Sequence, residues 1–573
     1  MIKILLTLFI ILNIGFPSTS QVAPAQFAIV IDEIMADPTP ITGLPDVEWI
    51  ELKNISGADI NLQGWRIGKL SAQSSPMPTY LLKADSFVVV CSGSAVTAMS
   101  PFAPTIPVTS FPSLSNGGDL IYLKSPQGRI IHSVNYSDDW YKNDLKRSGG
   151  WSLEMIDTKN PCSGLFNWTA SADSRGGTPG KKNAVTAVNP DVNPPKLLRA
   201  SAADSLHVFL IFNEPLDSMG SSATVNYSIS DGISIVSATP LAFQFDRVQL
   251  RLNTPLLRNK IYTVTSSKSK DCAGNALSNS ASQTRVGLAE RLDSLDVVVN
   301  EILFNPKADG ADYVELFNRS NKMVNLRNLY VANRGTGGAV SSVTPVSTED
   351  YLFFPGDFMV LTEDIAAVKA GFVTVNPDAF IQLPSLPSYN DDKGSVVTLN
   401  EQGRIIDEVN YSEKWHFKLI SNAEGISLER IDYNEPSNDP SNWHSAAANI
   451  NYGTPTYKNS QLHINEDVRG EVTVRPKVFS PDNDGNDDFA TIQYAFPQAG
   501  YVANITIFDA AGRPIRYLQR NALSGATGLY RWDGLDDRNK QLPVGLYIIY
   551  TEIYNLEGKT KRFKSTVVLG RKN

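Results

Sequence analysis

WIELKNISGADINLQGWRI, from Trp49 to Ile67, returns as YVELFNRSNKMVNLRNLYV from Tyr313 to Val331. Working outward, GRIIHSVNYSDDW (Gly128 to Trp140) returns as GRIIDEVNYSEKW (Gly403 to Trp415), and GWSLEMID (Gly150 to Asp157) as GISLERID (Gly425 to Asp432). The apolar residues Ile130, Val134 and Tyr136 keep one phase, as do Ile405, Val409 and Tyr411, with a PQG turn ahead of the first set. Alternation with period two, bounded by Gly and Pro turns, is the signal of half-buried strands. Neither copy sustains a helical period. The fold class expected is all-β: tandem Ig-like β-sandwiches, strung as beads.

At 573 residues the chain is long enough for several cores, and 42% hydrophobic against 19% charged residues describes folded material rather than disorder. A net charge of −8 makes nucleic acid an unfavoured partner, since phosphate recognition needs a basic surface. Lys3 precedes an apolar run from Ile4 to Phe16, followed by Pro17, Ser18, Thr19 and Ser20. That pattern reads as a secretory signal peptide over 1–20, cut after Ser20, with Ala23 or Ala25 as alternatives. No cysteine lies near the cut to carry a lipid, and no second apolar stretch is long enough to span a bilayer. The expectation is an exported chain that does not cross a membrane.

Four modules follow: 27–183 and 297–460 are the duplicated units, 194–283 lies between them after the connector NPDVNPP, and 472–573 closes the chain. Of the three cysteines, Cys91 and Cys162 both fall in the first copy, and Thr362 and Ser437 replace them in the second. Their joint absence suggests a Cys91–Cys162 bridge, although two independent small core residues explain it almost as well; Cys272 is then a buried or free thiol.

Both long copies resemble the lamin-tail domain family, through I-x-E-I at Ile31 to Ile34, E-W-I-E-L-K-N at Glu48 to Asn54, N-L-Q-G-W at Asn61 to Trp65 and S-N-G-G-D at Ser115 to Asp119. The second copy carries Leu329 where the first has Trp65. The middle module resembles bacterial Ig-like domains of surface-layer and adhesin-like proteins, through F-N-E-P-L-D (Phe212 to Asp217), Y-T-V-T and D-C-A-G-N-A-L. The last module is similar to the Ig-like domain of flagellar hook-capping proteins and to C-terminal domains of Bacteroidota type IX secretion cargo. The residues that carry this are Val478 to Phe489 (VFSPDNDGNDDF), R-W-D-G at Arg531 to Gly534 and P-V-G-L-Y at Pro543 to Tyr547. The resemblance implies the type IX secretion machinery as a partner, with residence outside the cell or on the outer surface of a Gram-negative bacterium. The module would then act as a sorting or anchoring domain.

Chemistry-bearing motifs are few. Asp482, Asp484 and Asp488 in DNDGNDD alternate oxygen ligands around a Gly, as at the opening of a calcium loop. Ile492 or Gln493 stands where an EF-hand needs its closing Glu, and acidic Asn-Gly turns also form for backbone reasons alone. Calcium is thus the one cofactor candidate. Glu48 with Glu51, and Asp312 with Glu315, are spaced so that each pair splits across the two faces of a strand, which gives them structural or surface roles. His132 aligns with Asp407, His416 with Tyr141 and His444 with Thr169, so the framework does not require imidazole. No catalytic residue is assigned. Trp168 and Trp443 share one N-W position and read as core, whereas Trp140 and Trp415, just past N-Y-S, are the rings most apt to contact a ligand. The expected function is a non-enzymatic exported surface or secreted protein serving adhesion, scaffolding or display. The alternative is an accessory or binding protein of an extracellular nuclease, phosphoesterase or polysaccharide-processing system.

Overall fold

The computed structural model describes residues 24–279, 282–463 and 470–571; the signal peptide expected over 1–20 lies outside them. It is all-β, built from tandem β-sandwiches grouped in two compact units, which divide near Val286.

In the first unit a six-stranded sheet runs in the order Trp168–Ala170, Leu153–Met155, Ile29–Met35, Trp49–Asn54, Phe87–Ser92 and Thr105–Val108. All its pairs are antiparallel except the last. A four-stranded sheet, Ile130–Ser137, Gly118–Lys124, Arg66–Lys69 and Ala72–Gln73, packs against it. Ile31, Ile50, Leu52 and Val90 from the first sheet meet Ile67, Leu123 and Val134 from the second, and Trp65 just ahead of it, in one core. Alternation along Trp49–Asn54 therefore turns Ile50 and Leu52 inward and Trp49 and Glu51 outward. The outward face is buried too. Met35, Trp49, Val89 and Cys91 pack there under Ala95, Met99 and Ala103, and the strand Ile29–Met35 is buried at every residue.

The same unit contains the middle module, with sheets Leu197–Asp204, His207–Phe212, Arg247–Leu252, Ile235–Pro240 and Tyr227–Ile229, Tyr262–Ser266, Gln283–Val286. The ring of Tyr122 stacks on Phe243 at 4.4 Å, and Ser133 Oγ donates to the Phe243 carbonyl at 2.6 Å, which ties the two sandwiches together.

The second unit repeats the arrangement: Phe380–Gln382, Phe358–Thr362, Tyr313–Asn318, Val297–Leu303, Leu428–Arg430 and Trp443–Ser445 form the six-stranded sheet. Its closing module pairs a three-stranded sheet, Glu471–Arg475, Ala490–Ala495 and Thr527–Trp532, with a five-stranded one containing Val502–Asp509 and Gly545–Tyr554. Phe417 packs with Val502 and Leu523, and the Ala526 amide donates to the Ser460 carbonyl at 2.8 Å, so this module docks on the second copy.

Candidate functional site

Glu33 is paired in register with both Glu51 and Glu154, which sets three glutamates in one row across neighbouring strands. Glu301 stands likewise between Glu315 and Glu429. All six are at 0% exposure. Of the structural or surface roles expected for Glu51 and Glu315, burial leaves the structural one: their face of the sheet is roofed by a strap of irregular chain that carries no strand pattern of its own.

In the first copy the strap is Gly176 to Val185. The Thr178 amide donates to Glu33 Oε1 at 2.8 Å, Thr178 Oγ1 to Glu154 Oε1 at 2.8 Å, and the Val185 amide to Glu154 Oε2 at 3.1 Å. The Gly180 amide donates to Glu51 Oε2. In the second copy the Thr454 amide reaches Glu301 Oε1 at 2.9 Å, the Thr456 amide Glu315 Oε2 at 2.5 Å and the Gln461 amide Glu429 Oε2 at 2.9 Å. Asn183 and Asn459 complete each strap, donating to the carbonyls of Asp32 and Met155 in one copy and of Asn300 and Arg430 in the other. Without these acceptors the strap amides would be buried and unpaired, at a cost of about 1–3 kcal/mol each. The glutamates are clamps.

Crowding buried carboxyls has a protonation consequence. Burial first, and then the Glu154 charge, raises Glu33 well above the carboxylate range; burial and then Glu33 do the same to Glu51. In the second copy burial and Glu301 push Glu429 up to about 8, and Glu315 is raised for the same two causes. The copies differ beside Glu51 and Glu315. Asn300 Nδ2 donates to Glu315 Oε1 at 2.7 Å, whereas Asp32 stands in its place and both Asp32 Oδ1 and Glu51 Oε1 have no partner. Burial raises Asp32 to about 7.

The histidine substitution is equally legible in the structure. His132 Nδ1 accepts the Ile31 amide at 2.8 Å, and Asp407 Oδ2 accepts the Val299 amide at 2.9 Å, so either residue caps the same bulged strand. With the neutral solution, Met155 occupies the position that Arg430 takes in the second copy. The charged one faces Arg430, at 0% side-chain exposure and 3.0 Å from Asp407. Burial lowers His132 to about 4, which keeps it neutral.

The cysteine expectation is overturned. Cys162 is bonded to Cys272, and Cys91 is a free, buried thiol. Cys91 sits opposite Trp49 inside the outer-face cluster, where Thr362 sits opposite Tyr313. Its absence from the second copy is a packing change, and Ser437 stands there in place of Cys162, whose partner Cys272 belongs to the middle module, which is not duplicated.

Trp140 is more enclosed than its place just past the strand suggests. A short turn at Asp138–Tyr141 folds its ring back until it is 9% exposed and tilted against Trp168 at 6.2 Å. Trp415 makes the same contact with Trp443, again at 6.2 Å. One part of Trp140 still borders a cavity of about 280 Å³.

Two acidic groups come together. Carboxylate oxygens of Asp482, Asp484 and Asp488 lie within 4.8 Å of one another on the surface, and Asp488 accepts the amides of Asn483 and Gly485 at 2.7 and 2.9 Å. The loop thus satisfies its own turn. Asp191, Glu214 and Asp271 gather within the same distance beside the disulfide, a grouping the sequence spacing does not reveal.

Two family models match. The Lamin Tail Domain model covers residues 23–138 and the Bacterial Ig-like domain model residues 184–285, together less than half of the chain. No curated protein matches. Among solved structures, the S-layer protein rSbsC(31-844) is 14% identical, covering 66% of this chain and 55% of its own, with a TM-score of 0.16. PorZ of Porphyromonas gingivalis, described as a surface component of the type-IX secretion system, is 10% identical over 93% of this chain and 75% of its own, with a TM-score of 0.15. Bacteroides ovatus SGBP-B is 10% identical over 84% and 86%, with a TM-score of 0.16. The chain spans about half the length of the S-layer structures it matches.

Proposed function

We propose that this chain is an exported, non-enzymatic surface or secreted protein whose sandwiches serve adhesion, scaffolding or display. The observation that carries the reading is the Cys162–Cys272 bond between two modules of the first unit. Such bonds form and persist outside reducing compartments. The spending of both buried glutamate rows on strap amides supports a non-catalytic role, because carboxyls enclosed this way have no access to a substrate. The matched family models support a surface or extracellular setting. The closing module, 472–573, acts in this reading as the sorting or anchoring domain for the type IX machinery.

Labelling intact cells with a membrane-impermeant amine reagent tests this directly. The full chain is expected to react, and a chain ending at 471 to remain in the periplasm. Equal surface labelling of both forms would remove the sorting role. Robust hydrolysis of DNA or phosphoesters by the purified protein with divalent metal would remove the non-enzymatic one.

A further inference from the structure

We propose that the cavity between the first sandwich and the middle module of the first unit binds one pyranose ring of a neutral glycan. This goes beyond the functional reading above and does not depend on it.

The cavity measures about 280 Å³, close to the lower end of the roughly 300–1,000 Å³ typical of ligand pockets, which suits a single ring. Its walls combine aromatic faces with amide groups: Phe27, Trp140 and Phe245 on one count, Asn135 and Gln244 on the other. No Asp, Glu, Lys or Arg lines it. His132, the one titratable ring there, is neutral at physiological pH because burial lowers it. The adjoining recess, which shares Cys162, Gly164 and Pro215, carries Asp191 and Glu214. An uncharged wall with acidic neighbours disfavours anionic ligands and leaves a ligand with one apolar face and several hydroxyls.

Hydrogen-bonding capacity in the wall is unspent. Asn135, Gln244 and the Trp168 indole N–H have no side-chain hydrogen bond among the described residues. In the second copy the corresponding Trp443 indole is satisfied, donating to the Ser437 carbonyl at 2.8 Å. Phe27 and Phe245, which face the cavity from the two modules, are both held at left-handed φ, +62° and +59°. That conformation is strained for an aromatic residue, and such strain tends to gather at ligand sites. The loop bearing Phe245 is anchored at Phe243 by Tyr122 and Ser133, so the wall is preformed.

Calorimetric titration of the full mature chain with cellotetraose, laminaritetraose and mannotetraose tests the assignment, with sialyllactose as the anionic control. At least one neutral oligosaccharide should bind saturably and sialyllactose should not. Asn135→Ala and Gln244→Ala, at exposed and half-buried positions, should each weaken binding about tenfold, the loss of roughly one hydrogen bond. Trp415→Ala in the second copy should leave it unchanged. The proposal is overturned if none of the three neutral sugars binds at millimolar concentration. It is equally overturned if binding is indifferent to Asn135→Ala and Gln244→Ala, or if sialyllactose binds as well as the neutral sugars.

Discussion

Glu429→Gln separates the protonation of the clamp from its hydrogen bonding. Glu429 is raised from 4.5 to about 8, so its neutral form is the one the fold prefers. The stability this contributes is complete below about pH 4.5 and disappears as pH climbs through about 8. Over the whole window one group at 1.36 kcal/mol per unit amounts to about 5 kcal/mol. Imidazoles run the other way: His416 is lowered to about 4 by burial, so its contribution is lost as pH falls below the ordinary imidazole value near 6.5. Working only between pH 6.5 and 8 silences that term and leaves about 2 kcal/mol for Glu429. At about 2–4 °C per kcal/mol, the share of Glu429 in the fall of the second unit's melting temperature across this window should be about 4–8 °C in the parent chain. In Glu429→Gln the fall should be smaller by that amount, even though the variant begins less stable, having exchanged one acceptor oxygen for an amide. Asp32→Asn is the companion in the first copy: it installs the amide that Asn300 supplies to Glu315 and should stabilise the first unit above pH 7. Parallel dependences of melting temperature on pH for parent and Glu429→Gln from pH 6.5 to 8 would refute the protonation of Glu429.

Other consequences are as specific. The Cys162–Cys272 bond closes a separation of 110 residues, worth about 4.8 kcal/mol in the chain-entropy relation, so Cys272→Ser should lower the denaturant midpoint of the first unit sharply. Cys91, its thiol pushed up to about 11 by burial, should resist iodoacetamide until the unit unfolds. Arg430→Met strands the buried Asp407 charge and should cost about 3–5 kcal/mol. Adding Asp407→His recreates the His132 and Met155 arrangement, and thermal melts should show most of that loss recovered. Ending the chain at 471 uncovers Phe417 and should cost the second copy about 2 kcal/mol, with dye binding to the exposed patch.

Much of the fold was readable because the two copies hold apolar phase at Ile130, Val134 and Tyr136 and again at Ile405, Val409 and Tyr411 while most other positions drift. The glutamate rows were hidden by the same rule. A polar residue alternating with Ile50 and Leu52 looks solvated, and nothing periodic announces the strap that covers it. The available signal was identity: Glu33, Glu51 and Glu154 all recur, as do Gly177-Thr178-Pro179 in Gly453-Thr454-Pro455. The disulfide was hidden for a different reason, since comparing copies finds pairs only inside a copy, and Cys272 lies outside both. The enclosure of Trp140 was hidden because strand phase stops at Tyr136, and the turn that folds the ring inward begins two residues later.

Trapping thiols in living cells of the native host, by acid quench and alkylation before and after reduction, bears most directly on residence outside the cytoplasm. With the quenched protein alkylated in denaturant, the account predicts Cys162 and Cys272 alkylated only after reduction and Cys91 alkylated without it. Three cysteines all free at the moment of quenching would contradict it.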